Sequence, residues 1–239
     1  MTIPPTAQDR RLVATFNAKT LRMRDEIGDG RRLFGGSRSR TMGGLDRMPG
    51  EEDGMNRPTI EKLAIEGLVR ITPRVFEDRR GWFSETYSQA ALTEAIGPVA
   101  FVQDNVSHSL RRGTVRGLHF QIAPMAQAKL VRVIRGAIRD VSVDLRRGSP
   151  TFGRHVAVEV SAASGAQVFV PNGFAHGFCT LEDNTEVAYK VDAPYSADHE
   201  GSLYWADPDL AIAWPVSEAD AVVTDKDRDA PRLAALAAE

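Results

Sequence analysis

The run from Arg116 to Lys129, Arg-Gly-Leu-His-Phe-Gln-Ile-Ala-Pro-Met-Ala-Gln-Ala-Lys, sets an arginine, a histidine and a lysine around a Gly/Pro-punctuated turn. Histidine is the side chain whose charge changes near neutral pH, so His119 could serve as a base or as a metal ligand. Beside Leu118 and Phe120 it could equally be a structural histidine that only satisfies a hydrogen bond. The segment alone leaves both readings open, and the choice depends on the elements that hold it.

Those elements read as short strands. Val141, Val143 and Leu145 alternate with Ser142, Asp144 and Arg146, and Val156, Val158 and Val160 alternate with Ala157, Glu159 and Ser161. A period of two gives each strand one dry and one wet face. Val187, Tyr189 and Val191 supply another strand, and Gly148-Ser149-Pro150, Ala163-Ser164-Gly165 and Pro171-Asn172-Gly173 are turn signals between runs. Repeated short antiparallel strands predict an all-β jelly roll or related barrel, whose interior would receive His119 and Lys129. A strand is expected over Trp82–Tyr87 and another from Phe101 to Val106. Ser88 is placed to cap a helix through Ala91, Leu92, Ala95 and Ile96, with Gly97 and Pro98 ending it. Trp205, Leu210, Ile212 and Trp214 are expected to cover one end of the barrel.

The N-terminal part has a different texture. Residues 1–54 hold 10 Lys+Arg and 8 Asp+Glu with little apolar periodicity, a composition that buries too little to offset chain entropy. The expected division is a low-complexity, mixed-charge extension over 1–59, disordered apart from a short amphipathic helix within 10–24, and a folded domain over 60–239. Met55 precedes the change in texture, so a start of translation there is a further expectation.

Composition narrows the function classes. A formal net charge of −2 gives no overall footprint for nucleic acid, and 42% hydrophobic residues suffice for a sizeable core. No apolar run reaches the roughly 18 residues of a membrane span. The single cysteine, Cys179, forms no internal disulfide, which suits a cytoplasmic location.

Several separated runs then match one family. They are Arg80-Gly81, Phe101-Val102-Gln103-Asp104-Asn105, Arg116-Gly117-Leu118-His119-Phe120-Gln121, Ala126-Gln127-Ala128-Lys129-Leu130-Val131-Arg132, Ser149-Pro150-Thr151-Phe152-Gly153, Pro171-Asn172-Gly173-Phe174-Ala175-His176-Gly177-Phe178 and Tyr189-Lys190. In this order, across roughly Leu68 to Leu233, the chain resembles the dTDP-4-dehydrorhamnose 3,5-epimerases, cupin-like jelly-roll enzymes of deoxysugar-nucleotide synthesis. It departs from them at Ala128, where Gly is usual, and at Val106, where His is usual and a His instead follows at 108. One extra residue lies between Asn105 and Arg116, and another before Lys226-Asp227.

The resemblance implies cofactor-independent inversion at C3 and C5 of dTDP-4-dehydro-6-deoxy-D-glucose, giving dTDP-4-dehydro-L-rhamnose. It places His119 as base, Asp227 as its carboxylate partner, Tyr189 as general acid and Lys129 at the enolate oxygen. Arg116 and Arg80 would bind the diphosphate, helped by Gln103 and Asn105, and His176 would line the pocket. Phe83 and Tyr195 would flank the thymine and Glu85 would accept a hydrogen bond from it. The strand bearing Arg80, Phe83 and Glu85 is exchanged between subunits in this family, so a homodimer is implied. Taken singly, Asp227 could be part of a solvated charge run, Tyr189 a core residue and Lys129 a surface one. Three alternatives remain open here: a 3-only or 5-only epimerase of another nucleotide deoxysugar, a non-catalytic sugar-nucleotide binding module, and a metal-dependent cupin. The last lacks the usual His-x-His pair among five histidines, so no metal is expected.

Overall fold

The computed structural model describes residues 57–237; the expected helix within 10–24 and the start at Met55 lie outside them. In chain order the strands are β1 (Thr59–Lys62), β2 (Val69–Thr72), β3 (Phe76–Asp78), β4 (Gly81–Phe83), β5 (Gln103–Ser109), β6 (Val115–Gln121), β7 (Lys129–Arg135), β8 (Ala137–Asp144), β9 (His155–Ser161), β10 (Gln167–Val170), β11 (Phe174–Thr180), β12 (Thr185–Val191) and β13 (Glu200–Ser202). Among the described residues, three short α-helices accompany them, α1 (Gln89–Ile96), α2 (Asp225–Arg228) and α3 (Leu233–Ala237), with one 3-10 turn at Ala197–His199. One sheet runs β1-β2-β10-β7-β12-β5 and the other β13-β6-β11-β8-β9, with β3 and β4 paired apart as a hairpin. Neighbouring strands are antiparallel throughout. This is the expected jelly-roll class.

The core follows from the alternation. Val131, Val133, Val168 and Val187 of the first sheet meet Ile138, Val160, Phe174 and Phe178 of the second. Each such side chain contributes about 1.5–3 kcal/mol when fully buried. The odd-even partners of those residues face outward, and two different covers close over them. On the first sheet α1 lays Leu92 and Ile96 against Val69, Ile71, Leu130 and Phe169. This helix starts where the cap was expected: the Ser88 hydroxyl accepts from the Ala91 N–H, and Gly97 ends it with a positive φ of 88°.

Three expectations need correction. The strand expected over Trp82–Tyr87 is only three residues long, because Ser84 turns its hydroxyl to the Arg74 carbonyl and Tyr87 leaves to pack edge-on against Phe101. In β8 both faces are dry. Val141 and Val143 pack outward with Leu118, Ala175, Leu203 and Leu210, while Asp140, Ser142 and Asp144 are buried on the inner side. Asp144 tolerates this because Arg146, Ser149 and Thr151 all donate to it. Burial works against its carboxylate form, but these donors win and hold its pKa well below the usual carboxylate range. Finally, Leu210, Ile212 and Trp214 cover the outer face of the second sheet rather than a barrel end, and Trp205 packs there on Val115 and Cys179.

Candidate active site

Between the sheets lies a cavity of about 310 Å³, to which both sheets and the capped turn of α2 contribute. Lys129 of β7, Tyr189 of β12 and Ser107 of β5 line it from the first sheet; Arg116 and His119 of β6 and His176 and Phe178 of β11 line it from the second. Thr224, Lys226 and Asp227 enter from the C-terminal segment. Lys129 is buried, with the ammonium donating to the His119 carbonyl at 3.1 Å.

Arg116 and His119 are three residues apart on one strand, a spacing that should send them to opposite faces. A bulge brings both inward. His119 pairs with His176 and Arg116 with Phe178, so the register slips by one residue between them. Gly117 sits in that slip at φ 126°, and a Cβ there would lie 2.6 Å from the Gly177 Cα and 2.9 Å from the His176 carbonyl oxygen. Gly117→Ala is therefore expected to force β6 off β11, lowering the melting temperature by about 5 °C or more in a thermal melt. A melt unchanged within error would refute this reading of the bulge.

His119 Nε2 lies 2.6 Å from Oδ1 of Asp227, although the two are 108 residues apart in sequence. The second carboxylate oxygen accepts from the Gly117 N–H at 3.3 Å. Burial alone would raise the Asp227 pKa, but His119, the Gly117 amide and the Thr224 hydroxyl outweigh it and hold it below its ordinary value. Asp227 is thus ionised at neutral pH and accepts from Nε2–H, which leaves Nδ1 as the basic nitrogen of His119. A second pair lies alongside, His176 Nε2 to Asp140 Oδ2 at 2.8 Å. Burial pushes the Lys129 ammonium down to about 8, against the opposing pull of Asp140 and Glu200. The same burial raises the Tyr189 phenol, so it keeps its proton at neutral pH.

The Arg116 guanidinium is anchored by the Ser109 hydroxyl at 3.1 Å and the His108 carbonyl at 3.0 Å, with N–H groups to spare. Gln103 and Asn105 do not line this cavity but bond each other at 2.8 Å, and Gln103 accepts from the Tyr195 N–H at 3.2 Å. Tyr195 is exposed, and its hydroxyl donates to Glu200, which also pairs with Lys226 at 2.6 Å. Arg80 and Phe83 are exposed on or beside the β3–β4 hairpin, Arg80 paired with Asp78; Glu85 lines a separate cleft beside α1. None of those three reaches the cavity of this chain. Val106 and His108 face the outer side of β5, so the departure from the family at these positions leaves the cavity lining untouched. Among the described residues, no three His, Cys, Asp or Glu side chains gather as a metal site, and no helix is long and apolar enough to cross a membrane.

A family model described as dTDP-4-dehydrorhamnose 3,5-epimerase matches residues 62–235. The chain belongs to this family. Among the family's curated members, the Sinorhizobium fredii dTDP-4-dehydrorhamnose 3,5-epimerase is 49% identical over 177 residues, covering 74% of this chain and 90% of its own. The crystal structure of the Bacillus anthracis 3,5-epimerase with TDP and PPi bound is 48% identical, with a TM-score of 0.71 over 74% of this chain and 99% of that one. The Legionella pneumophila dTDP-6-deoxy-D-glucose-3,5-epimerase, in complex with dTDP-4-keto-L-rhamnose, is 40% identical, with a TM-score of 0.71 over 75% and 97%.

Six further residues line or brace this cavity without having been singled out in the sequence, Lys226 beside Asp227 among them. Ser107 and Phe178 each follow a candidate by two positions on the same strand face, a signal that alternation carries. Thr224 precedes an acidic turn as a capping residue would. Asp140 and Glu200 reveal themselves only through strand register and tertiary contact.

Proposed function

We propose that this cavity inverts C3 and C5 of dTDP-4-dehydro-6-deoxy-D-glucose to give dTDP-4-dehydro-L-rhamnose. The observation that carries the reading is His119, backed by the Asp227 carboxylate, sharing one cavity with Lys129 and Tyr189. His119 stands on one sheet and Tyr189 on the other. A hexose ring held between them would meet a base on one face and a proton donor on the opposite face, which inversion requires. The C4 ketone acidifies the C–H at both neighbouring carbons. His119 Nδ1 removes the proton, the C–H electron pair moves into the ring and onto O4, and the Lys129 ammonium offsets the charge that develops there. Asp227 stabilises the imidazolium formed. Tyr189 returns a proton from the other face; its phenolate recovers one from solvent and the His119 imidazolium releases one to solvent, which resets both for the next inversion.

Arg116, held on β5 with spare N–H groups, suits the diphosphate, and His176 completes the pocket wall. Gln103, Asn105 and Tyr195, linked by hydrogen bonds through Gln103, suit contacts with the nucleoside. Arg80, Phe83 and Glu85 would serve a neighbouring subunit's site in a homodimer. The exposed apolar residues Val75, Phe76, Trp82 and Phe83 on the hairpin, with Val106 and Ile134 on the outer face of the first sheet, support such a cover. A cytoplasmic location suits this chemistry and the single cysteine.

Nuclear magnetic resonance of the product tests the reading. Purified protein, with nothing added but substrate, is expected to convert dTDP-4-dehydro-6-deoxy-D-glucose into the sugar inverted at both carbons. Inversion at a single carbon would instead assign the single-epimerase reading, and binding without turnover the non-catalytic module.

A further inference from the structure

The carboxylate partner of His119 rides on α2, a single turn of four residues, Asp225–Arg228. One turn does not hold itself: nucleating a helix fixes several dihedrals for a single hydrogen bond. Something outside the turn must fix where Asp227 stands. The carboxylate itself is held by His119 and the Gly117 N–H, and Val222, two residues before the cap, is bonded to Gly113 and Val115; two further side-chain ties act on the turn. The Lys226–Glu200 ion pair, at 2.6 Å, has a half-exposed lysine and is screened by solvent. Thr224 is the N-cap, and its hydroxyl accepts the N–H of Asp227 itself at 3.3 Å. A hydroxyl that accepts one bond keeps its own proton to donate. The Thr224 hydroxyl also contributes, after His119 and the Gly117 amide, to holding the Asp227 carboxyl below its ordinary pKa.

We propose that Thr224 is a positioning residue for the proton-transfer step, fixing the Asp227 carboxylate on His119 through the α2 cap. This rests on the epimerase reading for its kinetic part only. Without the hydroxyl, the Asp227 amide loses the side-chain half of its cap and keeps only the Thr224 carbonyl, at 3.1 Å. The turn then frays, and Asp227 spends less time within hydrogen-bonding distance of Nε2. Thr224 is exposed, so removing its hydroxyl opens no hole in the core and the variant is expected to fold.

The test compares wild type with Thr224→Val, which keeps shape and loses the hydroxyl, and Thr224→Ser, which restores it. Two readouts separate positioning from plain structural support. One is the split between kcat and KM for dTDP-4-dehydro-6-deoxy-D-glucose. The other is the downfield proton resonance of His119 Nε2–H in the substrate-free protein, identified by its absence from His119→Asn. Thr224→Val is expected to lower kcat about 10–100-fold, as loss of a supporting partner commonly does, with KM within about 2-fold and the resonance broadened or lost. Thr224→Ser should recover both to within about 3-fold of wild type. A Thr224→Val protein with unchanged kcat and an intact resonance would overturn the proposal. So would a raised KM at unchanged kcat, which would make the hydroxyl a substrate contact. If wild type turned over no substrate, the proposed function would fail, while the resonance alone would still decide the role of Thr224.

Discussion

His119→Ala is expected to lower kcat for epimerisation by about 10²–10⁴-fold, the usual contribution of a positioned general base. The size of the effect follows from how completely the site is built around this ring: Nε2 is committed to Asp227, and the strand register aligns His119 with His176. Affinity for TDP should change little, since the diphosphate is assigned to Arg116 and the base lies with the sugar. Isothermal titration with TDP beside steady-state kinetics makes the comparison. A His119→Ala protein with full turnover would remove the base from the account, and one that no longer binds TDP would point to a structural role.

Lys129→Met should cost about 10²–10³ in kcat, the range seen when one donor to a developing oxyanion is removed. Methionine keeps most of the volume of the buried stem, so the loss reports charge rather than packing. A pH profile sharpens the test. Burial holds the Lys129 ammonium near 8, so about nine in ten molecules carry the charge at pH 7. The charged form supplies the stabilisation; it is present below about 8 and lost as pH rises through that value. Wild-type kcat/KM should therefore fall on the alkaline side of about pH 8, and the fall should be missing from Lys129→Met. An alkaline limb that persists unchanged in the variant would assign it to another group and leave Lys129 without this role.

Much of the fold was legible because alternation is a local property. The valines of β9 and β12, the cap at Ser88 and the stop at Gly97 each report their own surroundings. β8 was misread because alternation says which residues share a face but not what covers each face. A late segment carrying Leu203 and Leu210 closes over Val141 and Val143, and that cover is a tertiary fact. The short β4 strand has a similar cause, since the pull of Tyr87 toward Phe101 is invisible to local pattern.

At the site, residue types were readable and convergence was not. The spacing of Arg116 and His119 argues against a shared face until the bulge at Gly117 is seen. Asp227 lies in a run of charges that looks solvated, yet it is buried against a histidine more than a hundred positions away. Lys129 resembles a surface lysine by type, and only its place on an inner strand face makes it a buried cation. Asp140, which holds His176, could be found only once the pairing of β8 with β11 was known.

Solvent exchange tests the central claim most directly, because each inversion replaces a carbon-bound proton with one from water. With dTDP-4-dehydro-6-deoxy-D-glucose in D₂O, the wild-type protein should place deuterium at both C3 and C5 of the product, and His119→Ala should place it at neither on the same timescale. Product formed by the wild type with no deuterium at either carbon, or exchange by His119→Ala at the wild-type rate, would contradict proton transfer through His119.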